Sequence, residues 1–139
     1  MSENSVLPTS DERTWACLAH LSILLNLITG FLGILAALII YLIYRDRSRY
    51  VAYHALQSLI FQLVFWAGAG LVAAVLWVIT IPLIFVLVGL CLLPAAILVT
   101  FVPVGAMVFG VIGAIKTNQG EDFKYWLVGS WVRGTLTGE

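Results

Sequence analysis

The chain has 139 residues, 62% of them hydrophobic and 10% charged, with a formal net charge of zero. So few charges exclude a nucleic-acid-binding surface, and the length leaves no room for a soluble catalytic module beside a membrane domain. All the charged side chains fall in three islands, 3–13, 45–49 and 116–139, separated by charge-free apolar tracts at 14–44 and 50–115. A helix needs about 20 apolar residues to cross roughly 30 Å of hydrocarbon, so both tracts read as embedded in a bilayer.

The N-terminal island carries Glu3, Asp11, Glu12 and Arg13, the wrong charge balance for a secretory signal, so the first tract is expected to be retained. Residues 1–9 read as a solvated tail. Ser10 is expected to cap a helix whose first turn holds Asp11 and Glu12. Thr29, Gly30 and Gly33 then divide the first tract into a hairpin, helix one at 10–28 and helix two at 31–46. A single kinked helix is the alternative. The second tract would be roughly 100 Å long as one helix, so it must turn back. Helix three is expected from Tyr50 to Val78 and helix four from Leu93 to Lys116. Pro82, Gly89 and Pro94 mark the turn between them or a re-entrant piece, with a third crossing as the alternative. Pro103 should kink helix four.

The resulting fold class is an all-α integral membrane protein with four transmembrane helices in two hairpins. Residues 10–116 form the domain, and 117–139 a short interfacial C-terminal segment. Basic loops stay cytoplasmic. Four crossings put Arg13, Arg45, Arg47, Arg49, Lys116, Lys124 and Arg133 on one side, which predicts a multi-pass protein of the cell membrane with both termini cytoplasmic.

Polar residues inside the tracts must find protein partners, line a cavity or sit near an interface. His54, Ser58 and Gln62 recur every fourth residue on helix three, with Gln57 alongside. Ser22 and Asn26 make a shorter stripe on helix one, and His20 points to another side at a depth comparable to His54. Haem or metal ligation by the two histidines lacks further ligands. A Ser22 or Ser58 nucleophile lacks an oxyanion motif. Ion-coupled transport lacks an intramembrane charge. The reading kept is hydrogen bonding between helices, with no enzyme activity, cofactor or metal. Cys17 and Cys91 read as small hydrophobes.

Small residues recur every fourth position as Gly33 and Ala37, Gly70 and Ala74, and Ala106, Gly110 and Ala114, ridges suited to close helix packing. They serve the bundle itself, with homo-oligomerisation or docking to other membrane proteins as the alternative. Trp126 and Trp131 read as interfacial anchors.

Several short motifs together resemble a known family: His20-Leu21-Ser22, Arg45-Asp46-Arg47-Ser48, His54 with Gln57, Leu59, Phe61 and Gln62, and Ile115 to Glu121. They resemble small bacterial membrane proteins that are similar to the twenty-kilodalton subunit of the chloroplast inner-envelope protein-import translocon. The resemblance covers about residues 11–126. It departs at Ile60, where relatives often carry asparagine, and in the longer stretch between helices three and four. It implies four membrane helices and, for the plastid relatives, a part in protein transport. The function expected is therefore a non-enzymatic multi-pass component of a membrane protein transport or assembly complex, whose partners are the bilayer and other membrane proteins or a second copy. The alternative is a small permeation or ligand-binding unit built on the polar stripe of helix three.

Overall fold

In a computed structural model the chain is all-α, and the structure describes residues 8–137. The expected tail at 1–9 lies, for residues 1–7, outside the described residues. Five helices follow one another. The first, α1 (10–29), is α-helical over Ser10–Leu21, tightens to 3₁₀ geometry over Ser22–Leu25 and relaxes again over Asn26–Thr29. Its cap is Thr9, not Ser10: Thr9 Oγ1 accepts the Glu12 amide while the Glu12 carboxylate accepts the Thr9 amide, a reciprocal capping box.

Gly30 ends α1 at φ +81°, a left-handed conformation that glycine adopts without a steric penalty. The chain reverses into α2, Leu32–Tyr44. Ser48 then caps α3 by accepting the Val51 amide, and α3 runs without interruption over Arg49–Ile84. A π-helical stretch at Leu63–Gly68 rotates its second half relative to its first. The chain turns at 85–88 with Leu87 at φ +63°, and α4 returns over Gly89–Asn118. Pro103 cannot donate to the preceding turn, so the α4 ladder breaks at Phe101 and restarts at Val102–Asn118. The last helix is α5, Gly129–Thr137.

Helices three and four are thus longer than expected, and the turn expected over 79–94 shrinks to four residues because Pro82 and Pro94 are absorbed into helix ends. The 36-residue α3 and 30-residue α4 are long and apolar enough to cross a membrane. By contrast α2, at 13 residues, is about 20 Å long, shorter than roughly 30 Å of hydrocarbon.

Two levels result. At the base, α1, α2, the first half of α3 and the second half of α4 pack together, and α5 closes the bottom. Trp66 Nε1 donates to Gly30 O at 2.7 Å and so fixes the level of the α1–α2 turn on α3. Beyond it α3 continues for about 18 residues, roughly 27 Å, paired only with the first half of α4. In this tip Trp77 Nε1 donates to Thr100 Oγ1 at 2.9 Å.

Candidate functional site

The buried polar residues of the base fall into two neighbouring groups, the first a ladder between α1 and α3. At its upper end Gly33 N donates to Asn26 Oδ1 (2.8 Å), and Asn26 Nδ2 donates to Gln62 Oε1 (2.9 Å). Gln62 Nε2 donates to both Ser22 Oγ (3.0 Å) and Ser58 Oγ (3.1 Å). The two serine hydroxyls converge as donors on Ala19 O, at 2.8 and 2.7 Å. Ser22 and Asn26 lie four residues apart on α1, across the 3₁₀ stretch at Ser22–Leu25, and both face α3.

One turn lower lies the second group, which is aromatic. His54 Nδ1 lies 3.3 Å from His20 Nε2, and His20 Nδ1 lies 3.0 Å from Tyr125 Oη. Both imidazoles are 0% exposed. Burial pushes the Tyr125 phenol up, so it stays neutral. The tautomers decide which atom donates at each of these two contacts, and in either direction the row ends at His54 Nε2. That atom has no hydrogen-bond partner among the described residues. The Tyr50 and Tyr53 rings flank the imidazole at 4.5 and 5.0 Å. Gln57 ties the C-terminal segment to α3: its Nε2 donates to Phe123 O (3.2 Å), and its Oε1 accepts from Tyr125 N (3.0 Å) and Tyr53 Oη (3.1 Å).

Ser58, Gln62 and Asn26 therefore lie in one hydrogen-bonded cluster and His20, His54 and Gln57 in a second, built around Tyr125, with His20 facing His54 on α3. Each side chain touches another helix or the C-terminal segment, and Ser58 spends its hydroxyl on a backbone carbonyl. Among the described residues no group of three or more His, Cys, Asp or Glu side chains could hold a metal ion.

Tyr125 is the member that the sequence reading leaves out. It reads as a headgroup aromatic, yet it is buried and stacks on Phe61 with ring centroids 3.9 Å apart. The available signal is the buried series Tyr125, Val128 and Val132, which recurs at helical spacing. Trp126 and Trp131, 69% and 63% exposed, lie outside this buried series, on the exposed part of the same segment.

Among the small residues, Gly33, Ala37, Ala106, Gly110 and Ala114 are buried in the base. A Cβ on Gly33 would run into the Ser22 carbonyl oxygen, and one on Gly110 would lie 2.6 Å from Ile23 Cγ2. Gly70 and Ala74 are a correction. Both are exposed, and a Cβ on Gly70 would meet nothing within 4 Å. The buried face of this part of α3 carries Ala73 and Thr80 instead. Spacing alone shows that small residues share a stripe but not which stripe is covered.

The arrangement is that of a helical membrane protein whose interior polar groups hold its helices together. The family model for magnetosome magnetite crystal formation proteins (MamF/MmsF) matches residues 11–132, and the chain belongs to that family. No curated protein and no solved structure matches the chain. The resemblance to the chloroplast translocon subunit is overturned by this assignment, and the expectation of protein transport falls with it. Its short motifs are the polar ladder and the basic turn, which any small bundle that laces its helices with hydrogen bonds can share.

Proposed function

We propose that this protein is a non-enzymatic participant in magnetite crystal formation that acts from within the membrane, not by holding the mineral. The observation that carries this reading is the placement of its oxygen ligands. Iron ions are bound by carboxylates and imidazoles. Among the described residues every carboxylate belongs to the base end, at Asp11, Glu12, Asp46, Glu121 and Asp122, and both imidazoles are buried. The far end, at 85–88, offers only apolar side chains. With the basic islands cytoplasmic, no carboxylate of the described residues faces the opposite compartment. The Ser22, Asn26, Ser58 and Gln62 side chains favour helix packing over the permeation reading, since they bond to one another and to backbone.

The same reading sets the topology. The α3–α4 hairpin crosses completely, and α1–α2 enters and leaves on the cytoplasmic side. The four complete crossings expected from the sequence thus become two, because α2 is too short. The turn at Gly30 and Phe31 supports a position inside the bilayer, because its polar backbone groups are satisfied by protein: Leu32 N by Thr29 Oγ1, Gly33 N by Asn26 Oδ1, and Gly30 O by Trp66. A turn in water needs no such provision.

Two experiments test the reading. With Cys17 and Cys91 replaced by alanine, a cysteine at Phe31 should resist an impermeant thiol reagent from both sides, while one at Phe85 reacts from the far side only. Labelling of position 31 from the far side would restore four crossings. In a magnetite-forming host lacking the gene, an Asp11→Asn, Asp46→Asn, Glu121→Gln variant should restore crystal size as well as the unaltered chain does, measured by electron microscopy. Failure of a normally accumulating variant would show that the carboxylates act on the mineral.

A further inference from the structure

The turn between α2 and α3 and the last helix border an open pocket of about 340 Å³ lined by Arg45, Asp46, Arg47, Ser48, Arg49, Ala52 and Leu136. Its charges are unbalanced. Arg45 is paired with Asp46 at 3.1 Å, as Lys116 is with Glu121 and Arg133 with Asp122. Arg47 and Arg49 have no acidic partner among the described residues.

The α3 N-terminus already has an anion beside it, since the Glu12 carboxylate accepts from the capping Ser48 Oγ at 2.6 Å. The positive end of a helix dipole favours negative charge and disfavours cations. The first turn of α1 conforms, with Asp11 and Glu12, whereas α3 has no acidic residue in its first turn and begins on Arg49. Two guanidinium groups without an acidic partner among the described residues thus border one open pocket, whose three arginines outnumber its one aspartate, and an anion would balance them. Guanidinium groups match phosphate oxygens with paired N–H donors.

The position of the cavity selects the source of that anion. It lies at the base end, where the apolar tracts meet the basic island, and its wall includes Leu136 of α5, the helix whose Trp131 is exposed. A cavity at headgroup depth with an apolar wall suits a phosphate that carries acyl chains. We propose that Arg47 and Arg49 form a binding site for the phosphodiester headgroup of an anionic phospholipid, closed on one side by α5. Lipid held there couples α5 to the α2–α3 turn. The site is independent of any role in crystal formation, because it requires only the base of the bundle.

The test uses the full chain purified in mild detergent and titrated with short-chain phosphatidylglycerol. Saturable binding is expected, at least tenfold tighter than for phosphatidylcholine of the same chain length. The double substitution Arg47→Gln, Arg49→Gln should weaken it at least tenfold, and Arg47→Lys, Arg49→Lys less than the glutamine pair. The control Lys124→Gln, at an exposed basic residue outside the cavity, should leave it unchanged. Melting temperature checks that each variant is folded; both arginines are exposed, so none of these changes removes a core contact. Unchanged phosphatidylglycerol binding by the folded glutamine pair would overturn the proposal. So would displacement of the lipid by inorganic phosphate at comparable concentration, which would make the site one for a free anion.

Discussion

The base and the tip of this molecule solve the same problem by opposite means. In the base, helices approach through small residues and are laced by polar side chains whose hydrogen bonds cross from α1 to α3 and on to the C-terminal segment. In the tip, α3 and α4 lie side by side with almost no polar lacing, and Leu71, Val78, Phe85 and Leu98 are all at least two-thirds exposed. Within a bilayer, apolar contact between helices competes with equally apolar lipid, so hydrogen bonds and close backbone approach supply the specificity that hydrophobicity cannot. The base should therefore set the stability of the fold and be intolerant of substitution, while the tip should accept changes that leave its length and apolarity intact.

The largest effect that would break this contrast involves two glycines. Gly33→Ala drives a methyl group into the Ser22 carbonyl and should cost about 3 kcal/mol by forcing α1 and α2 apart. Gly70→Ala, in open space on α3, should be neutral or stabilising by about 0.5 kcal/mol through helix propensity. Thermal unfolding in detergent measures both, and equal losses would mean that the two levels are not distinct. Next in size is the ladder. Gln62→Leu removes the acceptor of Asn26 Nδ2 and a donor to two serines, which should cost about 2 kcal/mol for buried groups left unpaired. The matched change in the tip is Thr80→Val, which removes a buried hydroxyl that has no partner among the described residues and should stabilise by up to about 1 kcal/mol.

Much of the base is legible in the sequence, because burying polar side chains in an apolar tract is expensive enough to announce itself. His54, Ser58 and Gln62 could be placed on one stripe from their spacing alone, and Asn26 on another. What the spacing could not supply was the mutual rotation of the helices. The 3₁₀ turn in α1 and the π-helical stretch in α3 leave no periodic signature. The tip was less legible for the opposite reason. With hydrophobic residues all round, nothing in the pattern marks which face of α3 is covered, so Gly70 and Ala74 were as eligible as Ala73. Proline misled as well. Pro82 and Pro94 read as loop signals, yet Pro82 is tolerated near the C-terminal end of α3 and Pro94 lies within α4 close to its N-terminal end.

A smaller effect sharpens the picture of the tip. Leu87 holds φ +63°, where an L side chain is crowded by its own backbone. Leu87→Gly should relieve about 1 kcal/mol of that strain without touching the base. A rise in melting temperature with unchanged phosphatidylglycerol affinity would show the two levels responding separately; a fall would mean that the leucine side chain contributes more than its backbone costs.

The smallest predicted effect concerns the edge of the base, where Glu12 joins the start of α1 to the start of α3. Its carboxylate accepts from Ser48 Oγ at 2.6 Å and from the Thr9 amide at 2.8 Å. These bonds, the one from Ser48 foremost, hold its pKa below the ordinary value of 4.5. A carboxyl whose folded pKa is depressed binds fewer protons in the folded state than in the unfolded one. Its contribution to stability is therefore complete above the unfolded value and fades as pH falls through the folded one. Melting temperature should accordingly decline between about pH 5 and pH 3. Ser48→Ala should flatten part of that decline, because the hydroxyl is the largest cause of the depression, and Glu12→Gln should remove Glu12's whole share. Glu12 is only partly buried, so solvent screens the interaction and the shift in melting temperature should be smaller than that of any substitution above. An acid-sensitivity profile identical in the unaltered chain and in Glu12→Gln would remove this contact from the set of bonds that hold α1 against α3.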